Sequence, residues 1–317
     1  MTPQRRHDSN QLGCDSMPAV IPEISFAHYR DSDSQQRAAF STALMQGLQR
    51  FGFIVLRDHP VSQNLLDQAY DLSARFFAQE NSAKRRYASG PRGFTPFRTE
   101  HAKDRTEPDL KEFWQTGPEP STPANVWPDF PPGFKTTVLS LFDALQETGR
   151  IILEALERPL SLPSGFFSAR MHDRNSVLRL LHYPPVAANA AAGSTRSAAH
   201  EDINLITLLP APSETGLELL DRDGRWIAIN TARHNLIVDS GDMLARLTND
   251  LIPATTHRVV NPPTGNRSRY SMPFFMHPDS DVTLSCLPSC IGSGAKYPDI
   301  RAGTFLEQRL RDIGLLT

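Results

Sequence analysis

Cysteine is scarce in this chain: Cys14, Cys286 and Cys290 are the only three among 317 residues. An odd, small number excludes a disulfide framework and points to a reducing, cytoplasmic setting. Neither Cys286 nor Cys290 has a His or Cys partner at the spacing of a structural zinc site. No apolar run reaches the 18 residues that a membrane helix needs. The basic residues of "MTPQRRHDSNQLGCDSM" have no apolar stretch behind them, which speaks against a secretory signal. An excess of one charge is missing too, with 33 basic against 35 acidic side chains, so neither a nucleic-acid nor a membrane partner is expected. There is no internal repeat, no His-Glu-x-x-His and no Gly-x-Ser-x-Gly, which removes the common zinc-protease and serine-hydrolase readings.

What is present divides into two textures. Residues 1–20 read as a disordered tail. Residues 21–135 form a helix-rich N-terminal region. Phe40, Ala43, Leu44, Gly47 and Leu48 share a helical face within 35–51, "GFIVLRDH" (52–59) reads as a strand, and Ser62 is placed to cap a second helix. Six prolines and two glycines make 117–134 an extended connection. A long supporting helix and its connection follow over 136–175, with Val138, Leu141, Phe142, Leu145, Ile152 and Leu156 at helical spacing.

From residue 176 to 290 the pattern changes to about eight short β-favouring runs, two of them joined by the hairpin signal "RDG". The fold class is therefore mainly β with flanking helices: a jelly-roll barrel, a double-stranded β-helix, behind a helical N-terminal region. The loop 186–199, rich in small residues, suits a lid. A C-terminal helix within 291–317 opens at Thr304 and Glu307, at capping-box spacing, with Leu306, Leu310 and Ile313 on one face.

The run "AAHEDINLITLL" (198–209) begins a buried strand with three ionisable groups, which need compensation. In a strand, His200 and Asp202 project to one face and Glu201 to the other. A His-x-Asp pair alone is a weak signal, expected by chance about once in every two chains of this size. His257, which opens the β run "HRVVN", offers a third ligand, because strands far apart in sequence can be neighbours across a barrel mouth. Two imidazoles and one carboxylate leave half a coordination sphere open, a geometry suited to non-haem Fe(II) and O2; zinc hydrolysis is the competing use of such ligands. Arg269 and Ser271 in "RYS" again share a strand face, and a guanidinium beside a hydroxyl is a receptor for a carboxylate. The alternative for Arg269 is an internal ion pair with Asp or Glu.

Together "FGFIVLRDHPV", "RGFTP", "PDLKEFW", "LRLLHYPP", "HEDINLITLL", "SGDMLARLTNDLIPATTHRVVNPP" and "RYSMPFF" resemble, in order, the isopenicillin N synthase-like branch of Fe(II)/2-oxoglutarate-dependent dioxygenases. The resemblance runs over roughly residues 21–290. It implies iron held by His200, Asp202 and His257, and the far carboxylate of 2-oxoglutarate held by Arg269 and Ser271. It also makes Tyr183 a cosubstrate or substrate contact. Many members carry Asn two residues before that tyrosine where this chain has Leu181, and Asn204 is a candidate to replace it.

The implied reaction is hydroxylation, desaturation or ring closure of a small molecule with release of succinate and CO2, with O2 as oxidant. Phe97, Trp114 and Phe275 are candidate pocket walls. Two alternatives stay open at this point: an Fe(II) oxidase that uses Arg269 and Ser271 on its substrate's own carboxylate, and a non-catalytic barrel. A monomer or weak homodimer is expected.

Overall fold

The computed structural model describes residues 20–312 except 31–32, 89, 103–106, 121 and 192. The expected disordered tail lies, but for Val20, outside the described residues, as do Cys14 and Ile313.

The N-terminal region runs β1 (Glu23–Ser25), α1 (Ala27–Arg30), α2 (Ser34–Phe51), β2 (Phe53–Arg57), α3 (Gln63–Phe77), α4 (Asn81–Arg85), β3 (Gly93–Thr95) and β4 (Glu112–Thr116). Asp33 starts α2 by accepting the Gln36 N–H at 2.9 Å, and Gly52, at φ 65°, ends it in the left-handed conformation that glycine adopts without strain. Ser62 does stand at the N-cap of α3, but its hydroxyl makes no capping bond.

The long helix α5 (Phe134–Glu157) leads to β5 (Val177–Tyr183), β6 (Ser197–His200), β7 (Ile206–Pro210), β8 (Leu217–Leu220), β9 (Trp226–Ala228) and β10 (Leu236–Ser240). Then come α6 (Asp242–Leu247), β11 (His257–Val259), β12 (Arg269–Ser271), β13 (Phe274–Met276), β14 (Thr283–Leu284), β15 (Ile300–Arg301) and α7 (Ala302–Asp312). "RYSMPFFMHP" is two strands, because Pro273 has no N–H to give a ladder. Helix α7 begins at Ala302, so Thr304 and Glu307 lie inside it and do not form its cap.

Two sheets face each other. The larger has the order β1-β2-β10-β7-β13-β5-β4-β3, with β12 also paired to β5; the smaller has the order β6-β11-β8-β9. A division at residue 176 does not separate the sheet, since β2 pairs with β10 and β4 with β5. Alternation along the large sheet sorts side chains by parity. Leu178 and Leu180 of β5, Leu208 of β7 and Phe274 of β13 join the core under the helices. Phe53, Phe113, Leu181, Tyr183 and Ile237 point the other way and meet Leu217, Leu219 and Val259 of the small sheet inside the barrel.

Helix α5 closes the large sheet from outside. Its buried stripe includes Val138, Leu141, Leu145, Ile152 and Leu156, each contributing about 1.5–3 kcal/mol of burial. Closest approach is at Gly149, where a Cβ would overlap Met276 Sδ and lie 3.1 Å from Leu208 Cδ1. Gly149→Val should therefore destabilise the protein by about 1–3 kcal/mol through overpacking, read as a lowered denaturation midpoint in urea with an unchanged slope. An unaltered midpoint would mean that the helix is free to move off the sheet.

Candidate metal centre and active site

Strand β6 ends at His200 and pairs antiparallel with β11, in a register that sets His257 opposite His200. Asp202 lies two residues past the end of β6, in the turn to β7. Convergence of the three groups thus owes more to cross-strand pairing and a turn than to simple strand alternation. Glu201, between His200 and Asp202, is not among the converging ligands and accepts the Thr256 hydroxyl.

Ligand atoms of His200, Asp202 and His257 all lie within 4.8 Å of one another. Asp202 Oδ1 is 3.8 Å from His200 Nε2 and 3.9 Å from His257 Nε2. Each ring spends its Nδ1–H on a carbonyl, Ala198 O at 2.7 Å and Thr255 O at 3.1 Å, because a carbonyl can only accept. That leaves both Nε2 lone pairs free to face Asp202. Burial, reinforced by the neighbouring His200, pulls the His257 pKa down to about 4, so the ring is neutral at pH 7 and ready to ligate. Two imidazoles and a carboxylate, each held from behind, fit a facial iron site.

Support for Asp202 comes from β7 and β10. Thr207 donates its hydroxyl to Asp202 Oδ2. Asn204 donates its amide to Thr207 Oγ1 at 2.9 Å and to Ile206 O at 3.2 Å. The amide proposed from sequence as a cosubstrate contact is thus engaged within the chain, holding the Thr207 hydroxyl. Asp239 faces Thr207 across the β10–β7 ladder. Burial first, and then the charge of Asp202, push the Asp239 pKa well above the usual carboxylate range.

Arg269 is 1 % exposed. Its Nε donates to Glu214 O at 3.1 Å, its Nη1 donates to Ser271 Oγ at 3.2 Å, and its guanidinium lies 5.0 Å from the Tyr183 ring centre. Among the described residues it forms no ion pair, so the expected alternative, an Asp or Glu partner, is not what the structure shows. Leu181 points into the barrel with Phe113 and Tyr183, where it leaves no polar group.

A cavity of about 470 Å³ adjoins His200 and Asp202, and Phe275 is on its wall. Trp114 and Phe97 are not. Trp114 belongs to the opposite face of β4, buried between Phe76, Tyr87 and Phe134, whereas its strand neighbour Gln115 reaches the cavity. Phe97 is 40 % exposed.

Several residues of this region gave no signal in the sequence. Lys111 Nζ bridges Glu100 at 2.7 Å and Asp109 at 2.9 Å, and Arg179 Nη1 reaches Glu100 at 3.0 Å. Burial opposes ionisation of Glu100, yet Arg179 and Lys111 hold its pKa down to about 2. Asp109 also accepts the Ala198 N–H at 2.9 Å, tying this cluster to the strand that carries His200. Arg196, expected in a loose loop, is 1 % exposed; it immediately precedes β6, and its guanidinium feels that of Arg269. The segment proposed as a lid, residues 186–199, therefore ends within strand β6.

Thr207→Val keeps the shape of the Asp202 support but removes the hydroxyl. Fe(II) affinity, measured by anaerobic titration, should fall by about 10- to 100-fold, the usual cost of losing a group that orients a ligand. Unchanged affinity would show that Thr207 does not position the carboxylate.

Comparison with known proteins agrees with this geometry. Residues 174–278 match the 2OG-Fe(II) oxygenase superfamily, and residues 21–130 match the non-haem dioxygenase in morphine synthesis N-terminal family. A 2-oxoglutarate-dependent dioxygenase, frbA of Dothideomycetidae sp., is 30% identical over 306 residues, covering 87% of this chain and 91% of that protein. A 2OG-Fe(II) oxygenase family protein from Caulobacter crescentus is 42% identical with a TM-score of 0.82, over 92% of this chain and 98% of that one. Neurospora crassa T7H, solved in complex with alpha-KG, superposes with a TM-score of 0.85 at 29% identity, over 92% of this chain and 95% of that one. Motif order, fold and metal-ligand geometry converge on one conclusion: the chain belongs to the 2OG-Fe(II) oxygenase superfamily and is a 2-oxoglutarate-dependent dioxygenase, with Fe(II), 2-oxoglutarate and O2 as its cofactors.

Proposed function

We propose that His200, Asp202 and His257 hold the iron, that Arg269 and Ser271 receive the far carboxylate of 2-oxoglutarate beside Tyr183, and that the adjoining cavity takes a small organic substrate. Bound iron and 2-oxoglutarate supply the activation of O2 and the oxidation of a substrate C–H bond. The chain's own part is to bind, orient and keep water out.

The observation that carries this reading is the Arg269 guanidinium, buried beside a hydroxyl and without an ion-pair partner among the described residues. A desolvated cation of this kind is costly unless an anion meets it. A small-molecule substrate is supported by the cavity's volume and by the T7H structure that contains alpha-KG and thymine. No helix among the described residues is long and apolar enough to cross a membrane. We read the protein as a cytoplasmic monomer or weak homodimer without a nucleic-acid partner, in keeping with its nearly balanced charge.

Arg269→Ala removes one partner of a desolvated charge pair, a change worth about 2–5 kcal/mol, or roughly 30- to several-thousand-fold in affinity. The apparent constant for 2-oxoglutarate should rise accordingly while Fe(II) binding persists, and a 2-oxoacid without the far carboxylate should lose less. A rise confined to the constant for the primary substrate would assign Arg269 to that substrate instead. His257→Ala should abolish succinate formation and Fe(II) binding with the circular-dichroism spectrum unchanged; turnover like that of the wild type would dismiss the triad.

A further inference from the structure

Most of the charged groups lining the cavity beside the triad are engaged within the chain. Glu100 and Asp109 face Lys111 and Arg179 in a neutral cluster. Arg309 is paired to Asp242 at 3.0 Å. Glu201, half-buried, accepts the Thr256 hydroxyl. Arg92 remains.

Its side chain is 9 % exposed and lines the same cavity as His200 and Asp202. Among the described residues it has neither an ion pair nor a hydrogen-bond partner, and its Nε is buried and unsatisfied. Burial lowers its pKa and no carboxylate offsets that effect. The guanidinium nevertheless has a fitted place: a Cβ at Gly117 would fall 2.5 Å from Arg92 Nη2 and 2.7 Å from Cζ, so the missing side chain at 117 makes room for it. The rest of the lining includes Val177, Ile203, Phe275, Leu306 and Leu310. A built-in guanidinium without a partner among the described residues, in a lining that also carries these apolar side chains, is what an orienting group of a ligand pocket looks like.

We infer that Arg92 is the anion receptor of the substrate cavity, and that the primary substrate is a small, largely apolar molecule bearing a carboxylate. The carboxylate docks on Arg92, which turns the apolar body toward the triad. This inference rests on the reading of the cavity as the substrate site. It assigns Arg92 a role in specificity that is separate from that of Arg269, which serves the cosubstrate.

The test uses benzoate and benzamide, which match in shape and differ in charge, titrated calorimetrically into the anaerobic Fe(II) enzyme saturated with 2-oxoglutarate, so that Arg269 is already occupied. Benzoate should bind about ten- to a hundred-fold more tightly, the range of a hydrogen bond to a charged group in a desolvated site. Arg92→Gln should erase that preference and Arg92→Lys should keep part of it, both with unchanged affinity for 2-oxoglutarate. Equal binding of the two probes by the wild-type enzyme, binding of neither, or a preference that survives Arg92→Gln overturns the inference. The wild-type comparison decides even if a variant does not fold. Failure of the Fe(II) enzyme to bind 2-oxoglutarate would instead overturn the functional reading beneath it.

Discussion

Asp202 is the point on which the structure turns. It is a buried carboxylate set beside a second buried acid, Asp239, with the imidazoles of His200 and His257 as its other near neighbours. Such a grouping is unfavourable by itself, because no fixed cation among these groups offsets the charge. A divalent ion resolves it, and Thr207 and Asn204 keep the carboxylate aimed while it does so. Those supports sit on β7, and β7 is fixed by β10 on one side and β13 on the other. The large sheet therefore exists, functionally, to hold one carboxylate against two rings from the small sheet.

Charge is distributed around this centre by the same logic. Arg269 is buried in the barrel beside Ser271 and Tyr183, with no ion-pair partner among the described residues. The Glu100–Asp109–Lys111–Arg179 cluster is neutral within itself and has a mechanical task, since Asp109 holds the backbone of β6 just before His200. Breaking one member of a buried ion cluster of this kind costs far more than the cluster contributes, because a charge is left stranded.

Much of the site could be read from the sequence, because its signals are local. His200, Asp202 and His257 stand beside apolar β runs, and Arg269 with Ser271 keeps strand spacing. Spacing alone would not have sufficed: His277 and Asp279 form a second His-x-Asp pair, yet Asp279 is spent on the backbone N–H groups of His172 and Asp173. What distinguishes the first pair is the distant His257, placed opposite His200 by strand register. Pocket walls were harder to read, because β4 presents alternate residues to opposite sides. Trp114 drew attention by size and belongs to the core, while Phe113 and Gln115 on either side of it face inward. Thr207 and Asp239 were hidden for another reason: each is a buried polar residue on a strand, and Arg196 is buried just before one, and burial appears only once the sheets are paired.

Strand β5 carries this division of labour furthest. Leu178 and Leu180 bind the sheet to the helical layer, whereas Val177 and Arg179 face the cavity and Leu181 and Tyr183 face the barrel interior. Neighbouring residues thus meet different surroundings, one set the helical layer and the other the cavity and barrel interior. A change at Val177 alters the cavity wall without touching the side chains of Leu178 and Leu180 that join the sheet to the helices. One strand of seven residues is enough to let chemical specialisation proceed without renegotiating the fold.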